Sequence, residues 1–227
     1  MKKPILRHLG IIMDGNRRWA KKHGLSALFG HKKGYENILK LGDWCLERGI
    51  AVLTVFAFST ENWDRSKHEV SYLMNLLKIG LTKDIKLMHQ KGIKVQIIGR
   101  LSQLPKNLQT ACSAAMELTK KNTRAILNIA LNYGGQAEII DGINKIINQK
   151  VSKVTEESFQ DYLYDPKMPP ADLIIRTSGE QRISGFLLWH AAYSEFYFTE
   201  TLWPDFSEKD LDKALADYAG RQRRFGK

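Results

Sequence analysis

Six short apolar segments alternate along the chain with segments of helical periodicity, and this alternation limits the fold more than any other feature. The apolar segments are 9–13, 51–56, 94–98, 124–131, 173–176 and 195–198. The helical segments are 33–48, 68–90, 106–120, 136–148, 156–163 and 208–219. This order predicts an α/β fold with a mainly parallel central sheet and helices on both faces. Because no repeat or long linker interrupts the pattern, residues 1–227 are expected to form a single domain.

The first apolar segment runs directly into a group of charged and small residues. Residues 9–13 are followed by Asp14, Gly15, Asn16, Arg17 and Arg18, and then by a helical stretch from Trp19. This order predicts a turn at the carboxyl end of a strand, where open α/β sheets bind their ligands. Cations in the first helical turn oppose the helix dipole by about 0.3–1 kcal/mol each, and a bound anion would remove that conflict. A carboxylate beside an anion favours a bridging divalent metal, so the turn predicts a metal–diphosphate site.

Two further loops have the composition of anion sites. Residues 58–65 follow the second predicted strand and could hydrogen-bond an oxyanion and cover it. A capped helix start, in which Ser66 and Glu69 form a capping box, is compatible with this role. Residues 176–184 carry Arg176 and Arg182 among hydroxyl side chains, which suits a second diphosphate, although solvated surface arginines are the alternative.

Two features leave their interpretation open. Glu195 lies in a strand rich in aromatic residues, where a carboxylate is costly to bury without a cation. Metal ligation and pairing with an arginine both satisfy that requirement. In the long predicted helix, apolar residues from Val70 to Met88 recur at three- and four-residue spacing. That stripe is expected either to pack in the core or to line part of an apolar tunnel.

Net charge restricts the class of partner without choosing one. Lys and Arg number 35 against 24 Asp and Glu, and the resulting charge of +11 favours nucleic acid, an anionic membrane surface or phosphorylated small molecules. The sequence contains neither the dinucleotide-binding glycine fingerprint nor a P-loop. It also lacks a recognised nucleic-acid-binding motif, so nucleic acid is not expected as a partner.

Cysteine usage and hydropathy bear on the cellular compartment. Cys45 and Cys112 have neither metal-site nor disulfide spacing, which favours a reducing compartment. No apolar run approaches the roughly 18 residues that span a bilayer. Residues 1–4 leave no room for a signal peptide before the first strand. We therefore expect a cytoplasmic protein, with loose attachment to a membrane as an open alternative.

Several of these motifs together resemble the cis-prenyltransferase family, typified by undecaprenyl diphosphate synthase. The matching segments are 14–19 with 29–32, 59–63, 128–135, 175–180, 202–206 and 223–226. They run nearly from end to end and follow the family's order. The resemblance implies a homodimeric, Mg²⁺-dependent enzyme with an apolar tunnel between sheet and helices. Such an enzyme would add isopentenyl diphosphate to an allylic diphosphate, with farnesyl diphosphate as the expected starter.

The resemblance also implies a role for each matching residue. Asp14 is the catalytic aspartate that helps to hold Mg²⁺. The residues expected to bind the allylic diphosphate are Gly15, Asn16, Arg17, Arg18 and His31, with Trp19 beside them. The residues expected in the covering loop are Ser59, Thr60, Glu61, Asn62, Trp63 and Arg65. The isopentenyl diphosphate residues are Arg176, Arg182, Ile183 and Ser184. Glu195 is the second metal-associated carboxylate, near the dimer interface, and residues 224–226 reach the neighbouring subunit's site.

Asn62 is expected to be the second catalytic residue. A neutral amide is a weak base, so we expect it to position a diphosphate oxygen that accepts the proton. Four positions depart from the family pattern, namely Ala27, Gln181, Gly185 and Gln136. Ala27 replaces an arginine that helps to bind the allylic diphosphate, and Arg17 stands where glycine is common. We therefore hypothesise that Arg17 compensates for Ala27.

The product implied by the resemblance is undecaprenyl diphosphate, with cis double bonds, for cell-envelope lipid carriers. A shorter-chain synthase and a non-catalytic accessory subunit of a heteromeric prenyltransferase are the alternatives. Asp14, Asn16 and Arg18 occur in one chain with the terminal Arg-x-Gly element, and this favours a self-sufficient enzyme. The lipid product implies peripheral contact with the inner membrane face.

Overall fold

The computed structural model describes residues 6–221 and contains one six-stranded sheet in which all neighbouring strands are parallel. The strands are β1 (His8–Ile12), β2 (Val52–Ser59), β3 (Ile93–Ile98), β4 (Ala125–Tyr133), β5 (Leu173–Arg176) and β6 (Glu195–Phe198). Their order across the sheet is β3-β4-β2-β1-β5-β6. All six predicted strands are confirmed, and β2 and β4 extend further than the apolar segments that predicted them.

Helices cover both faces of the sheet. They are α1 (Asn16–Lys22), α2 (Ala27–Glu47), α3 (Lys67–Ile79), α4 (Ile85–Gln90), α5 (Lys106–Thr119), α6 (Gly135–Asn148), α7 (Glu156–Phe159) and α8 (Glu208–Gly220). Helical backbone runs from 67 to 90, so the helical segment predicted over 68–90 is confirmed, although a π-helical turn, Gly80–Asp84, interrupts the α-helical hydrogen bonding between α3 and α4. No described helix is both long and apolar enough to pass through a lipid bilayer.

Alternate residues of the central strands pack into different cores. Leu9 and Ile11 of β1 contact a cluster that includes α2 and α8, whereas Ile12 contacts a cluster on the other face. Burial on both faces is typical of parallel sheets and explains why the strand sequences are almost continuously apolar. The fold class predicted from the alternation is therefore confirmed.

The order of strands determines where the functional loops meet. β1 pairs with β2 on one side and with β5 on the other, and Ile12 lies level with Arg176. Strands β2, β3 and β4 lie on one side of β1, and β5 and β6 lie on the other, so the strand order reverses beside β1, as at the switch points where open sheets bind ligands. Asp14, Ser59 and Arg176 follow or end these three neighbouring strands, so their side chains lie at one edge.

The helices α1 and α2 approach closely because two glycines face the contact. A Cβ atom at Gly30 would lie 2.1 Å from the carbonyl oxygen of Asn16. A Cβ atom at Gly34 would lie 2.2 Å from the side-chain oxygen of Asn16. Only glycine permits such an approach. The segment 29–32, which the sequence linked to 14–19, is thus held against the start of α1.

Two histidines are buried near the amino ends of β1 and β5, opposite the sheet edge that carries these loops. His8 is fully buried, and its ring nitrogens lie 2.8 Å from the Pro169 carbonyl oxygen and 2.7 Å from Thr54 Oγ1. His190 is 2% exposed, and its Nε2 has no partner among the described residues. Burial, helped by nearby His8, lowers the pKa of His190 to about 4. The folded protein therefore holds this ring neutral.

We expect acid to destabilise the protein through His190. As the pH falls below 6.5, His190 binds a proton in the unfolded chain, whereas in the folded protein it stays neutral until about pH 4. The free energy of unfolding therefore decreases between these two pH values and is unaffected by His190 above them. The loss amounts to about 3 kcal/mol, at about 1.4 kcal/mol per pH unit. Urea denaturation across this range should show a shallower pH dependence for His190→Gln. The exposed control His68→Gln should behave like the wild type, and equal slopes for all three proteins would contradict the prediction.

Candidate active site

A cavity of about 960 Å³, here called the polar cavity, opens at the carboxyl ends of β1, β2 and β5. Most of the site residues predicted from the sequence line it. They are Asp14, Gly15, Asn16, Arg17, Arg18, His31, Ser59, Glu61, Asn62, Arg65, Arg176, Arg182 and Ser184. The fold therefore brings the first turn, the 58–65 loop and the 176–184 loop together around one space.

Asp14 is held between two arginines from different loops. Its Oδ2 accepts a hydrogen bond from Arg176 Nη2 at 3.0 Å and lies 3.2 Å from Arg18 Nη2. Burial raises the pKa of Asp14, but the hydrogen bond from Arg176 and the charges of both arginines outweigh it, so the pKa lies below its usual value. The carboxylate is ionised at neutral pH and is still about one-third exposed to the cavity.

Arg176 organises the loop that follows β5. Its side chain is 6% exposed, and its Nη1 donates to the Arg182 carbonyl oxygen at 2.5 Å and to Ser184 Oγ at 2.9 Å. Its Nε has no hydrogen-bond partner among the described atoms. A buried guanidinium with an unused donor beside a wide cavity is suited to bind an added anion.

The loop after β5 also holds Arg18. Arg18 Nη1 donates to the Ser178 carbonyl oxygen at 3.0 Å and to Glu180 Oε1 at 3.2 Å, and its Nη2 donates to Ser178 Oγ. Arg182 Nη1 donates to the other oxygen of Glu180 at 2.6 Å. Glu180 therefore lies between two arginines of the cavity. Glu180 belongs to the matching segment 175–180, but nothing in that motif indicated this role.

A second group of charges surrounds Glu69, which the sequence suggested only as a capping residue. The Ser66 half of the predicted capping box is present, since the Glu69 amide donates to Ser66 Oγ at 3.3 Å, while the Glu69 carboxylate has other partners. The carboxylate also contacts His31 Nε2 at 2.9 Å, Arg65 Nη1 at 3.0 Å and Arg17 Nη1 at 3.9 Å. The four-residue spacing from Arg65 was the available signal, but the contact with His31 depends on the packing of α2 against α3.

Burial sets the protonation of this group. It lowers the pKa of His31 more than the hydrogen bond to Glu69 raises it. Burial raises the pKa of Glu69, but the hydrogen bond from His31 and the charge of Arg65 outweigh that effect. At neutral pH the pair is a neutral imidazole and a carboxylate. The carboxylate therefore anchors two arginine side chains at the mouth of the cavity.

The 58–65 loop forms a short 3₁₀ turn, Thr60–Asp64, directly after β2. Asn62 Oδ1 accepts a hydrogen bond from the Ser59 amide at 3.2 Å, so this oxygen stabilises the turn. Ser59, Glu61 and Asn62 line the polar cavity, while Thr60 does not. The structure thus places the loop over the cavity, with the Asn62 oxygen occupied by a backbone donor.

Four other predicted residues do not line the polar cavity. Trp19 is buried and donates through Nε1 to Asp205 Oδ1 at 2.7 Å. Trp63 donates through Nε1 to Asn132 Oδ1 at 2.8 Å, and Ile183 packs against a core cluster. The fourth is Glu195. The first three residues support the fold of the surrounding loops in this structure.

Glu195 lies away from Asp14. It is level with Leu9 at the start of its strand, three register positions and about 10 Å before the edge that carries Asp14. Its Oε2 accepts a hydrogen bond from Arg221 Nη1 at 2.7 Å. The sequence left metal ligation and pairing with an arginine open for Glu195, and the structure shows the pair with Arg221. The metal role of Glu195 stays a prediction, and residues 224–226 lie outside the described residues.

The polar cavity has an excess of positive charge and an apolar side. Five arginines and three carboxylates line it. Its apolar lining includes Ile38, Ala57 and Leu77, which also line an adjoining cavity of about 100 Å³, here called the apolar cavity. Of the stripe in α3 and α4, Leu77, Leu81, Ile85 and Met88 line the apolar cavity and the last three also belong to a core cluster. The arrangement suits an anionic head group attached to an apolar chain.

The carboxylate of Asp14 is the group best placed to hold a divalent metal. No set of three His, Cys, Asp or Glu side chains in residues 6–221 forms a metal-binding cluster. Asn16 Oδ1 is buried and has no partner among the described atoms. Mg²⁺ commonly binds through one or two carboxylates with the remaining ligands from water and substrate phosphates. Asp14 in an open, anion-binding cavity fits that chemistry.

Comparison with known proteins agrees with this geometry. Residues 12–226 match the Prenyltransf family model, which describes undecaprenyl diphosphate synthase. An isoprenyl transferase of Fusobacterium nucleatum is 50% identical to the chain over 100% of this chain and 98% of the relative. The structure of lavandulyl diphosphate synthase from Lavandula x intermedia in complex with dimethylallyl diphosphate has a TM-score of 0.94 and 38% identity, covering 98% of both chains. A probable undecaprenyl diphosphate synthase from Campylobacter jejuni has a TM-score of 0.84 and 32% identity, covering 99% of this chain and 100% of the other.

We expect Glu69→Gln to destabilise the protein by about 2–3 kcal/mol, because it leaves Arg65 and Arg17 without their buried counter-charge. The cost is below that of a fully buried pair because Arg65 retains contact with solvent. Urea denaturation at neutral pH measures the change. The control Glu36→Gln, which removes an exposed ion pair with Lys33, should change stability by less than about 0.5 kcal/mol. Equal effects of the two variants would show that Glu69 does not anchor the arginines.

Proposed function

The chain belongs to the undecaprenyl diphosphate synthase family of prenyltransferases, and from this we propose that it condenses isopentenyl diphosphate with an allylic diphosphate to form a cis-prenyl diphosphate. One observation carries the proposal within the structure. The ionised Asp14 lies in a cavity with arginines on both sides and an apolar continuation. Diphosphate head groups require the arginines, and prenyl chains require the apolar continuation.

The two groups of arginines suit two diphosphates. In the proposed arrangement, Arg17, Arg18 and the neutral His31 bind the allylic diphosphate. Arg176, Arg182 and Ser184 bind isopentenyl diphosphate. The contact between Arg176 and Asp14 places these two groups side by side. Such positioning brings the allylic carbon and the double bond of isopentenyl diphosphate within reach of each other.

Charge stabilisation is the main catalytic contribution of these residues. Negative charge develops on the allylic diphosphate as its bond to carbon breaks, and the arginines are already in place to stabilise it. Mg²⁺, held by Asp14 and diphosphate oxygens, would supply further stabilisation of the leaving group. The double bond of isopentenyl diphosphate then attacks the electron-deficient carbon. Loss of a proton leaves the new cis double bond.

The proposed role of Asn62 is to position substrate. Its side-chain oxygen accepts a hydrogen bond from the Ser59 amide, so the side-chain NH₂ group is the part left to contact a diphosphate. An amide oxygen is also too weak a base to remove the proton in the neutral state. A diphosphate oxygen is the stronger acceptor. We therefore propose that Asn62 orients that diphosphate oxygen.

Product length distinguishes two candidate functions. Synthesis of undecaprenyl diphosphate from farnesyl diphosphate is the first, and it would supply a lipid carrier for the cell envelope. A shorter-chain synthase is the second candidate, and the apolar cavity of about 100 Å³ favours it. For comparison, an apolar cavity of about 150 Å³ accommodates one benzene ring. The first candidate requires the helices around the apolar cavity to move apart as the chain grows.

We propose that the enzyme acts as a homodimer. Helix α6 carries an exposed apolar stripe of Ile140, Ile143 and Ile147, with exposures of 52%, 40% and 64%. Their three- and four-residue spacing places them on one helix face. An exposed stripe of this kind is suited to bury against a second copy of the chain. The self-sufficient enzyme is favoured over an accessory subunit because Asp14 and both groups of arginines are present.

We place the proposed reaction in the cytoplasm at the inner membrane face. The two cysteines, Cys45 and Cys112, are buried free thiols, which agrees with a reducing compartment. The long apolar product would have to leave towards a lipid phase. Peripheral contact with the membrane would provide that exit.

Asp14→Asn should reduce prenyl transfer by at least about 100-fold, because the amide keeps the size of the side chain but removes its charge. The assay incubates the protein with labelled isopentenyl diphosphate, farnesyl diphosphate and Mg²⁺ and sizes the lipid products. The exposed control Asp161→Asn should retain wild-type activity. If the wild type forms no product with any allylic starter, the proposed function is wrong.

Arg17→Gly should weaken binding of the allylic diphosphate about tenfold and leave that of isopentenyl diphosphate nearly unchanged. Arg17 is 60% exposed and lies 3.9 Å from Glu69, so its guanidinium can contact an added anion. For an exposed side chain the lower end of the range for one charge-assisted hydrogen bond, about 1.5 kcal/mol, applies and corresponds to about tenfold. Separate KM measurements for the two substrates test the prediction. Equal changes in both would show that Arg17 does not compensate for Ala27.

A further inference from the structure

The apolar cavity contains one polar contact in an otherwise apolar lining. It lies between α2, the segment from α3 to α4, and the sheet. Among the described residues that line it, only Tyr35 and Asp84 have oxygen in their side chains. The Tyr35 hydroxyl donates a hydrogen bond to Asp84 Oδ2. Polar groups beside apolar space need a partner, and here each satisfies the other.

This contact lies where the two cavities meet. Tyr35 lines both the polar and the apolar cavity, whereas Asp84 lines only the apolar one. Tyr35 belongs to α2, and Asp84 is the last residue of the π-helical turn. The hydrogen bond therefore joins the two helical layers that enclose the apolar cavity, close to its entrance.

The π-helical turn is shaped to receive the Tyr35 side chain. A Cβ atom at Gly80 would lie 2.9 Å from the Tyr35 hydroxyl oxygen, so the absence of a side chain at Gly80 makes room for the ring. π-Helical turns inside α-helices occur frequently at functional sites. Burial and the nearby Asp84 raise the pKa of Tyr35, so the hydroxyl remains a donor at neutral pH.

The apolar cavity is small, so the Tyr35–Asp84 hydrogen bond affects how long a chain it can receive. At about 100 Å³ it is smaller than the roughly 150 Å³ cavity that holds one benzene ring. A chain of several isoprenyl units therefore does not fit in it without movement of its walls. A longer chain must push α2 away from the π-helical turn, and the Tyr35–Asp84 hydrogen bond resists that separation.

We propose that the Tyr35–Asp84 pair determines product length by holding α2 against the π-helical turn and so limiting how far the apolar cavity opens. This inference rests on the proposed function, since it requires a prenyl chain to grow into that cavity. Tyr35 and Asp84 are specificity-determining residues in this role. They position the cavity walls and take no part in bond formation.

The test compares product lengths made by the full chain and its variants from labelled isopentenyl diphosphate, farnesyl diphosphate and Mg²⁺. Tyr35→Phe removes the hydroxyl and keeps the ring, and Asp84→Ala removes the acceptor. Each should shift the main product to greater length by at least one isoprenyl unit. The double variant should give the same shift as a single variant, because both changes remove one hydrogen bond. Product length is read from the active fraction, so a loss of yield does not obscure it.

Two controls separate this role from general effects. Tyr72→Phe makes the same chemical change in α3, at a residue that lines neither cavity. Glu36→Gln removes an exposed ion pair with Lys33 within α2, at a residue that lines neither cavity. Both should leave product length unchanged. If the wild type, Tyr35→Phe and Asp84→Ala all make products of the same length, this inference is wrong and the proposed function still stands. Absence of wild-type product would overturn the proposed function and this inference with it.

Discussion

The ion pair between Asp14 and Arg176 is the interaction on which the site depends. It joins the carboxyl ends of β1 and β5, which lie side by side in the sheet. Each residue then positions further groups, Asp14 through Arg18 and Arg176 through the loop up to Ser184. Two positively charged side chains, Arg18 and Arg176, are thereby concentrated around one carboxylate. Their mutual repulsion is offset by Asp14 and Glu180, and added diphosphate would complete the neutralisation.

Glu69 has a corresponding role on the opposite side of the cavity. Its carboxylate holds Arg65, Arg17 and His31, which come from three separate segments of the chain. Two carboxylates, Asp14 in the lining of the polar cavity and Glu69 outside it, therefore hold most of the basic side chains that line the cavity. In the proposed function these basic side chains would bind two diphosphates, and the adjoining apolar cavity would receive the prenyl chain. An α/β fold with no P-loop or dinucleotide fingerprint could bind phosphorylated substrates in this way.

The fold was predictable because local patterns dominate it. The six strands are short apolar runs buried on both faces, and they appeared in sequence at nearly the positions found in the structure. The long helical segment was also predicted, but its π-helical turn was not, because the apolar stripe continues unchanged through Gly80–Asp84. Periodicity reports which face is buried and not the hydrogen-bonding pattern of one turn. The Tyr35–Asp84 contact was not predictable either, because it joins residues 49 positions apart in different helical segments.

The sequence by itself determined the α/β class, the family and the loops that carry the charged residues, because these follow from local spacing and ordered motifs. Only the tertiary structure decided which charges meet. Glu69 reaches His31 through the packing of α2 on α3, Trp19 and Trp63 point away from the cavity, and Glu195 pairs with Arg221. Each of these contacts joins residues distant in the chain. Their partners therefore depend on how the helices pack on the sheet, which local sequence patterns do not encode.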